Sequence, residues 1–467
     1  MKIVMALFLI AVCSIFYILP SNLIAQVPGW AQKESIPTQV ARKYVRDGGA
    51  MVTVPGSIDN DLILAFRGNR SWEFYKYQSN CWTQLESIPY GVYPTNPTQI
   101  NRKKVDEGAA LCYDGCNTIY ATKGGGTIEF WVYDIVLDTW VAKPFVPSER
   151  GLRGGTSLAY FNDKVYLLAG EQSVYAPTNF FAYNTSTNVW APLVSAPLIP
   201  DGRTFRDGSC IVQLNGIIYA LKGGGKHNYF WAYNVETNTW TQMETLPLIH
   251  PCNQTGDDSE DEIEISDLKG SADRVRKTNV KAGGAMTAGN DKIYAIKGGG
   301  AQDFWQHSFV SGWTPLDTIP RLNRQSVPKR GAALTYTNGR VYLLKGNNTP
   351  EFWAFTPPTA TTISAEQGSS LANNTCPFML CQNLPNPFNS LTAIRYSIPR
   401  ECNVSLSIFN ISGKLVKTLI NETMNGGIYT VHWNGTDNDG RKISQGVYFY
   451  VLKTAGEKMQ KKMLMLR

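Results

Sequence analysis

A unit of about 50 residues recurs six times between residues 26 and 357, and this repetition constrains the fold more than any other feature. Each unit opens with a glycine phrase such as RDGGAM, which begins at Arg46, and an apolar run then leads to a second glycine phrase. An aromatic segment such as EFWVY follows, and a polar turn with a tryptophan closes the unit. Equivalent positions hold the glycines Gly68, Gly124, Gly170, Gly223, Gly298 and Gly346 and the tryptophans Trp82, Trp140, Trp190, Trp240 and Trp313.

Each unit predicts four short strands, which we name a to d in chain order. Asn, Asp, Thr and Ser turns such as NVETNT separate strands c and d, and these residues are typical of β-hairpins. Four-stranded antiparallel units at this spacing predict an all-β, six-bladed β-propeller. The sixth unit lacks strand d, whereas residues 29–37 match residues 81–89, which contain strand d of the first unit. We therefore predict that the N-terminal segment around Trp30 completes the last blade and hides two sheet edges.

This pattern resembles the kelch repeat, whose hallmarks are the glycines after strand b and the spaced aromatic and tryptophan residues of strands c and d. The resemblance implies a kelch-type propeller over residues 26–357. The match has departures, because the first, third and sixth units lack the double glycine and Trp313 lies in an irregular segment. Known enzymes on kelch propellers use metal or modified-tyrosine sites, and the sequence shows no clustering of His, Cys and Tyr that would support such a site.

The composition changes after the sixth unit. Residues 358–381 are rich in Thr, Ser, Pro and Ala and predict a linker, and the alternating strands of residues 382–467 predict a small Ig-like β-sandwich. The segments NLPNPFN, ISGKLVKTL and WNGTDNDG resemble the C-terminal sorting domain of bacterial type IX secretion cargo, which is related to the Ig-like module of hook-capping proteins. The resemblance implies passage across the outer membrane with the type IX machinery as partner. Ser390 departs from the second proline that is common there, and an ordinary adhesive Ig-like domain is the alternative.

The N-terminal residues predict export from the cytoplasm. Residues 1–25 have the layout of a secretory signal peptide, with cleavage near Ala25, and an uncleaved membrane anchor is the alternative. The later sequence predicts no membrane-spanning segment, so we expect a secreted or surface protein. The net charge of +7 is spread along the chain and predicts no nucleic-acid partner. Eight cysteines in the mature chain permit disulfides, and the close pairs Cys112/Cys116 and Cys376/Cys381 have poor spacing for zinc.

The sequence offers few signs of catalytic or cofactor chemistry. The glycine triplets, as in YATKGGG, lack the spacing of a phosphate-binding loop and lie between strands, so we interpret them as tight turns. The sequence contains no Gly-x-Ser-x-Gly or His-Glu-x-x-His motif, and we predict no cofactor. An acidic segment at residues 256–267 lacks EF-hand spacing and predicts a solvated loop. A calcium site there is a weaker alternative with the candidate ligands Asp257, Asp258, Glu260 and Asp261.

Cations recur at two positions that the topology of a propeller brings to one face, the b–c turn and the start of strand a. This recurrence predicts a basic annulus around the channel mouth, where a focused field attracts anions such as acidic glycans. The aromatic c strands are candidate stacking surfaces. The alternative is that the cations pair with acids such as Asp47, Asp106, Asp207 and the acidic segment at residues 256–267, and are structural. The candidate binding residues are Arg67, Lys123, Lys222, Lys297 and Lys345 at the b–c turns and Arg46, Arg153, Arg206, Lys281 and Arg330 at strand a.

Three hypotheses for function follow from these patterns. The first is a secreted or surface-attached bacterial protein that acts by binding a protein or an acidic glycan. The second is an extracellular carbohydrate-directed enzyme with its site on the cationic face, and the third is a passive structural or adhesive surface component. A cluster of histidines, cysteines or tyrosines, or a carboxylate pair in the central funnel, would favour the enzyme.

Overall fold

The computed structural model describes residues 29–38, 43–55, 62–170, 178–197, 204–225, 227–250, 278–309, 311–358, 378–380, 383, 386–389 and 391–466. The predicted signal peptide, most of the predicted linker and all four calcium candidates lie outside these ranges. Within them, the structure contains no helix that is long and apolar enough to cross a membrane.

Six four-stranded antiparallel sheets form a closed ring of blades, and the order of strands in each sheet is a-b-c-d. The closing strand is β1 (Gly29–Lys33). Blades 1 and 2 comprise β2 (Ala50–Val54), β3 (Leu62–Phe66), β4 (Phe74–Gln78) and β5 (Cys81–Gln84), and then β8 (Ala109–Tyr113), β9 (Thr118–Lys123), β10 (Phe130–Asp134) and β11 (Thr139–Lys143). A hairpin of β6 (Gly91–Tyr93) and β7 (Asn96–Asn101) is inserted between these two blades.

The remaining blades repeat this arrangement. Blade 3 comprises β12 (Ser157–Phe161), β13 (Lys164–Leu168), β14 (Phe180–Asn184) and β15 (Val189–Pro192). Blade 4 comprises β16 (Cys210–Leu214), β17 (Ile217–Leu221), β18 (Phe230–Asn234) and β19 (Thr239–Gln242). Blade 5 comprises β20 (Ala285–Gly289), β21 (Lys292–Ile296), β22 (Phe304–Ser308) and β23 (Gly312–Pro315). Blade 6 comprises β24 (Ala333–Thr337), β25 (Arg340–Leu344) and β26 (Phe352–Thr356), and β1 is its strand d.

The N-terminal strand closes the ring, as the sequence match predicts. Strand β1 pairs with β26 in an antiparallel register that sets Trp30 opposite Phe355. The Trp30 ring lies 5.0 Å from that of Phe304 and 5.1 Å from that of Phe355, and its Nε1 donates to the carbonyl of Asp317 at 3.1 Å. The predicted class, an all-β propeller with six blades and an N-terminal closing strand, is confirmed.

Aromatic residues of strand c form the core between blades. Phe130 of blade 2 packs against Tyr183 and Trp190 of blade 3, with ring centroids 4.9 Å apart in both cases. Such tilted aromatic pairs contribute about 0.5–1.5 kcal/mol each beyond the area that they bury. The same contact recurs around the ring, and Phe352 of blade 6 packs on Tyr77 of blade 1. These c-strand aromatics are therefore interior, and the prediction that they supply exposed stacking surfaces is wrong.

The C-terminal module is a β-sandwich of two antiparallel sheets. Its core includes Trp433, Tyr450 and Ile408, which are buried between the sheets. The first sheet has the order β27-β28-β31 and the second the order β30-β29-β32-β33. The strands are β27 (Met379–Leu380), β28 (Thr392–Ile398), β29 (Cys402–Asn410), β30 (Leu415–Met424), β31 (Gly427–Trp433), β32 (Gly446–Lys453) and β33 (Lys458–Met465).

The sandwich contacts the a–b turns of blades 2 and 3. The Arg395 guanidinium donates to the carbonyl of Cys116 at 2.6 Å, and Lys461 forms an ion pair with Asp163. Met379 packs against the backbone of Gly115. In an up-and-down blade the a–b and b–c turns lie at opposite ends of the strands. The module therefore occupies the face opposite the b–c turns.

The cysteines are divided between free thiols and a bridge. Cys112 and Cys210 are buried free thiols, and Cys81 and Cys402 are also free. Cys116 is disulfide-bonded. Cys112 and Cys116 are therefore close in sequence but do not form a pair.

Candidate binding site at the mouth of the propeller

The five cations of the b–c turns are buried, so their predicted place on an exposed rim is corrected. Arg67 is 1 % exposed, and Lys123, Lys222, Lys297 and Lys345 are fully buried. The physical reason is a carboxylate that lies six residues after four of these cations and neutralises the charge inside the protein. The resulting ion pairs are Arg67–Glu73, Lys123–Glu129 at 2.7 Å, Lys297–Asp303 at 2.7 Å and Lys345–Glu351 at 2.8 Å.

Each of three lysines in this set also lies over a tryptophan ring of its own blade. The Lys123 Nζ is 4.8 Å from the centre of the Trp131 ring, and Lys297 and Lys345 are placed in the same way. Burial lowers the pKa of Lys123, and Glu129 opposes that change. Because these charges are satisfied inside the blades, they hold strands b and c together and do not contact a ligand at the surface.

The glycine triplets form tight turns whose amides are used within the ring. Gly124, Gly125 and Gly126 have φ angles of 65°, 61° and 77°, which favour glycine. The Gly125 amide donates to the carbonyl of Glu107 at 2.8 Å, and the Gly126 amide donates to that of Leu152 in the next blade at 3.0 Å. The first bond lies within blade 2 and the second joins blades 2 and 3, so both amides are already used by backbone carbonyls and do not point into a phosphate site.

The cations at the start of strand a remain at the surface. Arg46, Arg153, Lys281 and Arg330 are exposed, and Arg206 is half-buried. Arg46 lies 3.4 Å from Asp47, and Arg330 lies 3.3 Å from the same carboxylate. Arg330 also reaches Asp207 at 3.7 Å. The structural alternative, pairing with Asp47 and Asp207, therefore holds for Arg46 and Arg330.

A central funnel of about 580 Å³ opens among the a strands. In every blade the first glycine phrase lies just before strand a, the innermost strand. The second residue of this phrase lines the mouth of the funnel, because the chain turns into strand a there. Blades 3 and 5 contribute small residues, whereas the other four contribute charges. The six positions in chain order are Asp47, Glu107, Gly154, Asp207, Ala282 and Arg330.

Glu107 and Asp207 meet across the blade that lies between their own. Their carboxyl groups lie close together at the funnel mouth, where two negative charges would repel each other. Burial raises the pKa of Glu107, Asp207 raises it further, and Arg330 opposes both. Gly154 gives the pair its room, since a Cβ there would collide with the Asp207 carboxylate and lie 2.7 Å from that of Glu107. The absence of a side chain at Gly154 therefore lets the two carboxyl groups approach each other.

A second cavity of about 540 Å³ lies beside the funnel, and Asp47, Glu107 and Arg330 line both. Arg70 is paired with Asp106 there, at 3.0 Å. Within the described part of the chain, four other cations of this cavity form no ion pair. We call this space the basic cavity, and its charged lining comprises the carboxylates Asp47, Asp106 and Glu107 and the cations Arg70, Arg102, Lys103, Lys104, Arg153 and Arg330.

The hairpin β6–β7 positions three of these cations. Asn101, at its end, donates to the Glu129 carboxylate at 2.7 Å, and the backbone of Gly91 lies against the same carboxylate. The buried Lys123–Glu129 pair therefore anchors the base of the hairpin. The cations Arg102, Lys103 and Lys104 follow directly after Asn101 and line the basic cavity.

Aromatic side chains flank the basic cavity. The Lys104 Nζ lies 4.0 Å from the centre of the Trp72 ring, and Tyr90 packs edge-on against Trp72 at 5.2 Å. Tyr90 is 53 % exposed, and Arg102 lies 5.9 Å from its ring centre. Unlike the c-strand aromatics, Tyr90 is available to a ligand.

Several of these residues are absent from the sequence-based candidates. Arg70, Arg102, Lys103 and Lys104 are missing, although the run RKK in a long d–a connection is visible in the sequence. The Glu107–Asp207 pair has a weaker signal, the acidic second residue of the glycine phrase in blades 2 and 4. In the described ranges, no group of three or more His, Cys, Asp or Glu residues is arranged to hold a metal ion.

Comparison with known proteins identifies part of the chain. The family of FlgD Ig-like domains matches residues 391–457. The C-terminal module resembles this family over these residues, and we call it the FlgD Ig-like domain. Comparison with curated protein sequences finds no match.

Many solved structures resemble the chain, among them the following two. One is YjhT, with a TM-score of 0.44 and 12 % identity over 72 % of this chain and 99 % of the other. The other is PorZ, an essential bacterial surface component of the type-IX secretion system of Porphyromonas gingivalis. Its TM-score is 0.36 and its identity 14 %, over 89 % of this chain and 51 % of that one. Neither likeness extends to function at these identities.

Proposed function

We propose that this protein is exported through the type IX secretion system, to which residues 382–467 direct it, and that its kelch-like propeller binds an acidic glycan outside the cell. The observation that carries the binding proposal is the basic cavity, where six cations meet three carboxylates. The export part is supported by the FlgD Ig-like domain and by the resemblance of its segments, and of NLPNPFN just before residue 391, to sorting motifs.

The charges of the basic cavity favour an anionic ligand. Carboxylates within the cavity offset Arg70 and Arg330, whereas Arg102, Lys103, Lys104 and Arg153 form no ion pair in the described part of the chain. Concentrating like charges destabilises a fold, and an anion that enters the cavity relieves the repulsion. Arginine is suited to this role because its planar guanidinium binds a carboxylate or sulfate through two parallel hydrogen bonds.

The position of the FlgD Ig-like domain suits display of this site. The domain contacts the a–b turns of blades 2 and 3 through Arg395 and Lys461. The basic cavity is on the opposite face, beside the b–c turn at Gly125. A protein attached to the surface through its C-terminal domain would therefore present the cavity outward.

Calorimetry on the mature full-length chain with uronic-acid oligosaccharides tests the proposal. We expect salt-sensitive binding, because the contacts are ionic. Charge reversal in a variant with Arg102→Glu and Lys103→Glu should abolish binding. Lys414→Glu together with Lys442→Glu, at exposed positions of the FlgD Ig-like domain, makes the same change in net charge and should have no effect. Absence of acidic-glycan binding, or capture of a protein ligand that is insensitive to the charge reversal, would refute the proposal.

A carbohydrate-directed enzyme is the second candidate, because the Glu107–Asp207 pair is the carboxylate pair in the funnel that favours it. Glycoside hydrolases hold their two carboxyl groups about 5–5.5 Å apart, or about 6.5–9.5 Å apart, to leave room for a sugar or a water. Glu107 and Asp207 instead lie close together, with an oxygen of each against Gly154. The assay is the release of new reducing ends from a glycan. Release by the wild-type protein that is lost in Asp207→Asn would favour the enzyme hypothesis over the binding hypothesis.

A further inference from the structure

We infer that the ligand is an oligosaccharide whose acid groups are separated by neutral, hydroxyl-bearing rings, bound with one acid group in the basic cavity and with hydroxyl groups on the Glu107–Asp207 pair. This inference rests on the proposed function and adds the chemical class and the orientation of the ligand. It assigns the two carboxyl groups as residues that determine specificity.

The funnel and the basic cavity adjoin each other. The funnel and the basic cavity share Asp47, Glu107 and Arg330 in their linings. Their volumes of about 580 Å³ and 540 Å³ each lie within the range of small-molecule sites. A ligand that enters the basic cavity therefore lies beside Glu107, and a chain of two or more sugar rings extends into the funnel.

The Glu107–Asp207 pair can both accept and donate hydrogen bonds. A carboxylate accepts hydrogen bonds, and a protonated carboxyl group also donates one. The raised pKa of Glu107, which lies against Asp207, favours its protonated form, so the pair offers both functions. Hydroxyl groups on neighbouring carbons of a sugar ring have the same dual capacity. Arg330 is held by Asp47 and Asp207 at the edge of the pair and adds further donors. The funnel mouth is therefore suited to a neutral polar surface.

The carboxylates of the funnel mouth disfavour ligands that carry a negative charge on every unit. A polyanion with a charge on every unit would place negative groups beside Asp47, Glu107 and Asp207, which line the funnel mouth. Like charges that are placed close together repel one another, which disfavours an acid group of the ligand at that position. A ligand with an acid group on alternate rings avoids this repulsion. The exposed Tyr90 beside Arg102 gives such a ligand an aromatic surface for a sugar ring.

Three probes test the inference on the mature full-length chain. They are a hexasaccharide of alternating glucuronic acid and N-acetylglucosamine, a neutral hexasaccharide, and inorganic polyphosphate. We expect the wild-type protein to prefer the alternating hexasaccharide to both others. Glu107→Gln should weaken that binding about tenfold, the effect of losing a hydrogen bond to a charged group, and should strengthen polyphosphate binding.

The controls separate this inference from the proposed function. Glu236→Gln removes an exposed carboxylate from a c–d turn and should leave all three affinities unchanged. Asp207→Asn should act like Glu107→Gln, so that misfolding of one variant does not decide the result. If the alternating hexasaccharide binds but both variants keep the wild-type order of affinities, the inference fails and the proposed function survives. If neither variant nor wild type binds any acidic saccharide, both fail.

Discussion

The buried ion pair between Lys297 and Asp303 provides a direct test of what stabilises the junction between blades 4 and 5. Both side chains are fully buried, and Nζ lies 2.7 Å from the carboxylate. The same Nζ donates to Thr278 Oγ1 at 2.7 Å and to the carbonyl of Leu248 at 3.2 Å. The pair therefore joins strands b and c of blade 5 to the chain that arrives from blade 4.

We expect Asp303→Asn to lower the free energy of unfolding by about 3 kcal/mol, near the lower end of the range for breaking a buried pair. Coulomb attraction at 2.7 Å is about 6 kcal/mol at an effective dielectric constant of about 20. The desolvation of both ions offsets much of that attraction. The two remaining acceptors of Lys297 reduce the loss further, because the cation keeps some of its hydrogen bonds.

Urea denaturation of the full chain, followed by tryptophan fluorescence, measures the effect in the transition of the propeller. Asp439→Asn in the exposed pair with Arg441 is the matched control, because both side chains are more than two-thirds exposed. Such pairs contribute about 0–1 kcal/mol. Replacement of both buried partners, with Lys297→Met and Asp303→Leu together, should recover most of the loss. If Asp303→Asn costs no more than Asp439→Asn, the buried charge is not what stabilises the junction.

Three further perturbations address closure, the carboxyl pair and the domain contact. Deletion of residues 26–38 should lower the melting temperature of the propeller because it removes β1, and an unchanged value would contradict ring closure. Glu107→Gln should raise the melting temperature at about pH 7 and leave it unchanged at about pH 4. Folding raises the pKa of Glu107, so the wild-type side chain loses its stabilising contribution as the pH rises through that pKa. An equal gain at both values would exclude ionisation of Glu107 as the cause. Replacement of both Arg395 and Lys461 with alanine should speed proteolytic separation of the FlgD Ig-like domain from the propeller, and an unchanged cleavage rate would show that these contacts do not hold it.

Local periodic patterns made the architecture predictable. A blade is one supersecondary unit, so its turns and apolar runs appear within about 50 consecutive residues. The closing strand was predictable for a related reason. Trp30 lies in a segment that repeats strand d of the first unit, and its equivalent there is Trp82. The equivalent tryptophans form the same contacts in their blades, as when Nε1 of Trp30 and of Trp82 donates to a backbone carbonyl. The repeated sequence therefore folds into a repeated structure.

The charged residues were harder to interpret because burial depends on the conformation of a turn. Lys123 and Arg153 both recur in the repeat as cations near one face, yet the first is buried and the second is exposed. The carboxylate that accounts for the burial of Lys123 is visible six residues later, at Glu129. Without the path of the b–c turn, that spacing does not reveal that the two side chains meet inside the blade.

The sequence by itself determined the number of blades, the strand that closes the ring and the presence of an Ig-like module, because each follows from a local pattern. Only the tertiary structure decided which charges reach the surface and which of them meet. Glu107 and Asp207 come from blades 2 and 4 and are joined across Gly154 because closure of the ring turns equivalent positions toward one axis. Distances across that axis are set by the packing of all six blades and have no counterpart in the order of residues.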